Sequence, residues 1–187
     1  MDPHTDPTKR WQTLFRTTHG VLLLGLTLAC ANGALATESR HLPLEGTPAE
    51  IESFEQFEKD VFRIGVKLYR NRVYTLKEAP EFLLGQPLVR NSIDRTGFRC
   101  TKPGMVTILT PDPKHPRAAS VCKELEASGF TRINTGKLYQ LFGDAEYDLV
   151  RVYQKQLEEG EEHHLGKWAV LVGPTKVTRW RAVPLDP

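Results

Sequence analysis

The densest run of titratable groups in this chain is Glu161-Glu162-His163-His164. Carboxylates and imidazoles are ligands for divalent metals, so the run is a candidate metal site at a turn. Neighbouring side chains on an extended backbone point to opposite faces, which keeps His163 and His164 from sharing one ion; a solvated turn is the favoured reading. A second group is aromatic and cationic. Trp168 and Trp180 carry indoles, and LYRNRVYTL (68–76) puts Arg72 beside Tyr74. Indole and phenol rings stack on the apolar face of a sugar, and a guanidinium suits an acidic or hydroxyl-rich ligand. Arg72, Tyr74 and Trp168 are therefore the candidate ligand-binding residues. The competing reading makes Trp168 a core residue opening the apolar run WAVLV, and Arg72 and Tyr74 a structural stack on the sheet surface. Asp94 and Asp112 flank extended runs, where a carboxylate bonds either a sugar hydroxyl or, more commonly, the amides of its own turn.

Enzyme chemistry leaves no recognisable trace. A hydrolase needs a nucleophile with a base in reach, or paired carboxylates in a cleft. The chain has no G-x-S-x-G, no H-E-x-x-H and no phosphate-binding glycine loop. The sequence assigns no catalytic residue, no metal and no cofactor. A small envelope hydrolase with an unrecognised site, or a structural subunit of a surface assembly, stays open as an alternative to a binding module.

The first 36 residues point to export. Lys9, Arg10 and Arg16 precede the apolar run VLLLGLTLACA (21–31), and Ala34-Leu35-Ala36 follows. A basic region, a short apolar core and an A-x-A end form a secretory signal peptide, and the core falls well short of the ~20 residues that span a bilayer. Residues 1–36 are thus expected to be a signal peptide, 37–46 a flexible leader and 47–187 a single domain, secreted or periplasmic and without a membrane span. The alternative is a lipoprotein modified at Cys30, although Thr27 occupies the position where a lipobox normally has leucine. Without residues 1–36, which hold three of the 25 basic and two of the 23 acidic side chains, 22 Lys+Arg face 21 Asp+Glu. That balance lacks the field that gathers phosphate backbones, so nucleic acid is not an expected partner. Cys100 and Cys122 remain, and in an oxidising compartment two cysteines pair, closing a loop worth ~3 kcal/mol; two buried thiols are the alternative.

The elements that must position these residues read as mostly strand. Thr47-Pro48-Ala49-Glu50 has the form of a helix start, and Ile51, Phe54, Val61 and Phe62 follow at roughly helical spacing, so a short helix is expected there. VKLYRNRVYTL (66–76) alternates with period two and predicts a strand with no clean apolar face. LVRNSID (88–94), FRCT (98–101), MVTILT (105–110), TRIN (131–134), DLVRVYQKQL (148–157), WAVLV (168–172) and KVTRWRAV (176–183) extend the strand pattern. RAASVCKELEASGF (117–130) reads as a helix ending at Gly129, and LEEGEEHHLG (157–166) as a hairpin or a corner. Many short strands between turn signals predict an antiparallel β-sandwich with one or two short helices.

A family resemblance rests on a series of these residues. It comprises Tyr69, Arg72, Tyr74, Pro80, Leu84-Gly85 and the strand LVRNSID, then MVTILT, Leu125, Gly129-Phe130-Thr131, Tyr153, Gly160, Gly166 and WAVLV. Over about residues 65–172 the order resembles modules of secreted bacterial proteins that sit beside glycan-degrading or glycan-binding domains, sialidase-like and sulfatase-like chains among them. The resemblance implies a β-sandwich accessory domain without a catalytic residue set, and a glycan or an envelope protein as partner.

Overall fold

The computed structural model describes residues 43–114, 119–141 and 149–180. The expected signal peptide, the lipoprotein alternative at Cys30 and residues 37–42 of the expected leader lie outside the described residues. In chain order the elements are β1 (Glu50–Ser53), β2 (Glu58–Val61), a 3-10 turn (Glu81–Leu83), β3 (Pro87–Arg90), β4 (Thr96–Lys102), β5 (Gly104–Pro111), α1 (Ala119–Ala127), β6 (Thr131–Ile133), β7 (Tyr139–Gln140), β8 (Leu149–Leu157), β9 (Glu162–Leu165), β10 (Val170–Val172) and β11 (Lys176–Arg179). They form the expected β-sandwich, with a single short α-helix among the described residues. The smaller sheet has the order β11-β1-β4-β9; the larger runs β2-β3-β10-β5-β8-β6, and β7 also pairs with β8. All strand pairs are antiparallel except β1 with β11.

The two sheets enclose one core, built by Ile51, Phe98, Cys100, Val106, Ile108, Tyr153, Leu157, Leu165, Leu171 and Val177. Val121, Cys122 and Leu125 of α1 join it, at the helical spacing the sequence shows. The helix ends as predicted. Gly129 sits at φ 80°, its N–H donates to the Glu126 carbonyl, and the Phe130 N–H donates to that of Leu125. That is a Schellman cap, with Leu125 and Phe130 packed in the same core.

The larger sheet is covered on its other face too. Leu88, Leu109, Val150, Val152, Val170 and Val172 pack there beneath Phe62, Val66, Leu68, Tyr69, Leu76 and Leu83. The segment 62–83 is thus a third layer, which explains why every residue of β5 is buried. It also corrects the reading of 66–76 as a strand. The chain turns back on itself: Leu68 N–H donates to Tyr74 O, Leu76 N–H to Val66 O and Gly65 N–H to Leu76 O, with Lys67 bridged to Thr75. A tight hairpin with its reversal at 70–73 buries four of its residues against the sheet, and so neither face of the run looks apolar in sequence.

The helix expected from Thr47 is also corrected. The segment forms β1 and β2, because Ile51 and Ser53 alternate inward on a strand held between β4 and β11. Distant partners on both edges outweigh a local capping signal. Two of the corners that carry the chain between sheets are built on glycine. At Gly104 an added Cβ would lie 2.5 Å from the Ala49 nitrogen, so only glycine lets β4 turn into β5 against that backbone. The corner expected over LEEGEEHHLG is confined to its first half, between β8 and β9, with Gly160 at φ 81°. EHHL forms β9 itself, which corrects the reading of residues 161–164 as a solvated turn and buries His163.

Candidate functional site

The tip of the hairpin is fastened to the segment before β4. Arg70 N–H donates to Asn91 O (2.9 Å), and Ile93 N–H donates to Asn71 Oδ1 (2.9 Å). The Asn71 amide donates in turn to Ser92 Oγ (2.8 Å) and Asp94 Oδ2 (3.1 Å), and Ser92 Oγ to Asp94 Oδ2 (3.0 Å). This strip of neutral donors holds the Asp94 carboxyl in place. The Ser92 hydroxyl, most of all, keeps its pKa below the usual carboxylate value; the Asn71 amide and the charges of Lys167 and Arg72 act the same way.

Trp168 meets this strip from the other side. Its N–H donates to Ile93 O (2.9 Å), and its carbonyl accepts from the Tyr69 hydroxyl (3.3 Å). The two bonds pin a backbone at φ 73°, a left-handed conformation that disfavours a bulky L-residue. The indole is half-buried, rests on the third-layer core and stacks on Tyr74, with centroids 6.1 Å apart and planes inclined by 29°.

Of the three candidate residues, Tyr74 and Trp168 are therefore in contact. Arg72 is exposed at the hairpin tip, donates to the carbonyl of Asn71 (2.8 Å) and shares the surroundings of Asp94 with Lys167. Sequence reasoning missed Asn71 and Lys167. Asn71 was legible only as an asparagine in a run without glycine or proline, and Lys167 only through its place beside Trp168. Trp180 lies elsewhere: Phe54 packs edge-on against it (5.9 Å) and stacks on His164 (5.0 Å), over the space left by Gly97.

The remaining chemical groups are absorbed by the fold. Asp112 accepts from Arg151 Nε (2.7 Å) and from the Lys114 N–H (3.0 Å), so its turn satisfies it. His163 and His164 do point to opposite sides, one 6 % exposed and the other on the surface. His163 lies between Phe98 (5.4 Å) and Phe130 (5.1 Å), with Nε2 3.0 Å from Glu161 Oε1, which also accepts from Lys155 Nζ. Burial drives the His163 pKa down, and the Glu161 charge only partly offsets it. Burial alone would raise the Glu161 pKa, but the Lys155 ammonium and the Glu158 N–H outweigh it and leave the pKa lowered.

The expected disulfide is not formed. Cys100 and Cys122 are buried free thiols; Cys100 Sγ donates to Lys102 O (3.1 Å) and Cys122 Sγ to Pro111 O (3.4 Å). Each finds a carbonyl near its own strand or helix, and burial, the largest influence on both, raises their pKa. Among the described residues no helix is long and apolar enough to cross a membrane.

No protein-family model and no curated protein matches the chain. Among solved structures it is similar to part of a β-glucuronidase from glycoside hydrolase family 2, with 17 % identity, a TM-score of 0.44, and 65 % of this chain and 14 % of that chain covered. It is also similar to part of a GH138 enzyme targeting pectin rhamnogalacturonan II, with 18 % identity, a TM-score of 0.46, and 81 % and 19 % covered. The chain spans under a fifth of the length of either neighbour.

Proposed function

We propose that the chain is an exported, non-catalytic module that binds a glycan on the surface formed by Arg72, Tyr74 and Trp168. The basic and apolar pattern of residues 1–36 supports export, to the periplasm or beyond. The observation that carries the binding reading is Trp168: a half-buried indole, stacked on Tyr74, on a left-handed backbone fixed by hydrogen bonds at both its N–H and its carbonyl. Such a backbone costs roughly 1–2 kcal/mol for a residue with a side chain, and a cost of that kind concentrates at functional sites. The paired rings give an amphipathic surface for a pyranose face, with polar groups of the Asn71–Asp94 strip beside it.

The test is a glycan-array screen of the purified domain, followed by calorimetric titration of the hits with the wild type and with Trp168→Ala. Binding by the wild type and its loss in the variant is the expected result, with at most ~2 kcal/mol of stability removed because the indole is only half-buried. A wild type that retains no glycan, or a variant that binds as tightly as the wild type, refutes the reading. A loss of ~3–5 kcal/mol would mark Trp168 as a core residue instead.

A further inference from the structure

Among the described residues, two cations stand at this surface with no carboxylate in contact. Arg72 and Lys167 are exposed, and among the described residues Arg72 bonds only the carbonyl of Asn71. Neighbouring cations are matched differently. Arg90 pairs with Glu58 at 2.5 Å, Arg70 approaches the same carboxylate at 3.7 Å, and Arg95 pairs with Glu55 at 2.8 Å. Asp94 is an acid close to both Arg72 and Lys167, and its Oδ2 is taken up by the Asn71 amide and the Ser92 hydroxyl rather than by either cation. Arg72 is two residues from Tyr74 and Lys167 is next to Trp168, so two positive charges and one negative adjoin the segments that carry the stacked rings. Among the described residues Asp94 Oδ1 has no hydrogen bond and can accept from a hydroxyl.

Resting on the glycan-binding reading above, we infer that the ligand is an anionic sugar, one that carries a carboxylate or a sulfate ester, and that Arg72 and Lys167 pair with its acid group. The division of labour follows from the chemistry of the groups. The Tyr74 and Trp168 rings take the apolar face of the pyranose, which charge does not alter. Arg72 offers the planar donor fork that matches a carboxylate or sulfate in a bidentate way, and Lys167 adds a point charge that tolerates either geometry. Asp94 fixes orientation through a hydroxyl and disfavours an acid group placed on the wrong side, since like charges repel there. A neutral glycan would use the rings and the hydroxyl acceptor but leave both cations unused.

The experiment compares one oligosaccharide backbone in three forms, neutral, oxidised at C6 to the uronate, and O-sulfated, titrated calorimetrically into the full domain at low and at moderate salt. The uronate or the sulfated form is expected to bind about tenfold tighter than the neutral form, with a preference that shrinks as salt rises. Whichever charged form binds tighter identifies the source of the acid group. Arg72→Gln and Lys167→Gln are each expected to weaken the charged forms more than the neutral one and so to remove most of that preference, whereas Trp168→Ala weakens every form alike. Equal affinity for neutral and charged forms, or a charge preference that survives both Gln substitutions, overturns the inference and leaves glycan binding standing. Failure of all three forms to bind removes the inference together with the reading beneath it.

Discussion

Acid should loosen this fold through His163 before it reaches the carboxylates. The imidazole is 6 % exposed between Phe98 and Phe130, close to the Lys155 ammonium, and burial holds its pKa below the 6.5 of an unfolded histidine. The unfolded chain then takes up a proton that the native state refuses. Stability is full above pH 6.5 and falls as pH drops from that value toward the lowered native pKa, with a slope of up to ~1.4 kcal/mol per pH unit for one proton. If the native imidazole stays neutral throughout, the loss between pH 7.5 and 5.5 reaches about 1.4 kcal/mol. Urea unfolding at pH 7.5, 6.5 and 5.5, compared with His163→Phe, isolates the effect. The other five of the six histidines are common to both proteins and cancel in the difference. The phenylalanine variant should lose less stability on acidification than the wild type. Identical pH dependence in the two proteins would refute the argument, since it would show that His163 binds its proton equally well folded and unfolded.

Glu161→Gln should lower stability at pH 7 by ~1–3 kcal/mol, because Lys155 and His163 lose a shared carboxylate; urea midpoints measure this, and an unchanged midpoint counts against the cluster as a structural element. Since the Glu161 pKa is itself lowered, the stability it supplies is present above 4.5 and disappears as pH falls from there, so its loss begins at a lower pH than the 6.5 at which the His163 loss begins. Gly104→Ala should cost ~3 kcal/mol or more, or prevent folding, because the new methyl would meet the Ala49 backbone at 2.5 Å; thermal unfolding decides it. Reductant should leave the intact mass of the folded domain unchanged, and Cys100 and Cys122 should react with a thiol reagent only after unfolding.

What the sequence made legible was local. The six-residue run 105–110 has its own β-branched pattern and a turn signal, Pro103-Gly104, just before it, and Gly129 announces the end of α1 because only a left-handed residue closes a helix in that way. The corner at Gly160 and the opposite facing of His163 and His164 follow from the alternation of a strand. The missed features depend on partners far along the chain. Glu50–Ser53 looks like a helix start until Val177 and Cys100 flank Ile51 in the smaller sheet. The hairpin at 66–76 has no glycine or proline at its reversal, and Asn71 does the fastening through Ile93, so a period-two pattern was the only visible signal. The stack of Tyr74 on Trp168 and the unpaired state of the two thiols arise from packing between distant segments, which residue spacing does not encode.

The third layer also makes the surface a device for linkage. Tyr74 belongs to the hairpin, whereas Trp168 belongs to the segment leading into β10. The hairpin is joined to the rest by the buried side chains of Val66, Leu68, Tyr69 and Leu76 and, among the described residues, by few backbone hydrogen bonds. An opening that parts Tyr74 from Trp168 therefore breaks side-chain packing rather than a strand ladder, unlike one at β5 and β8. A ligand that touches both rings must close that opening before it can bind. Its affinity and the protection of the 66–76 amides are then two measures of one equilibrium, and each can be tuned from the other side of the hairpin, by residues such as Leu68 and Leu76 that never meet the ligand.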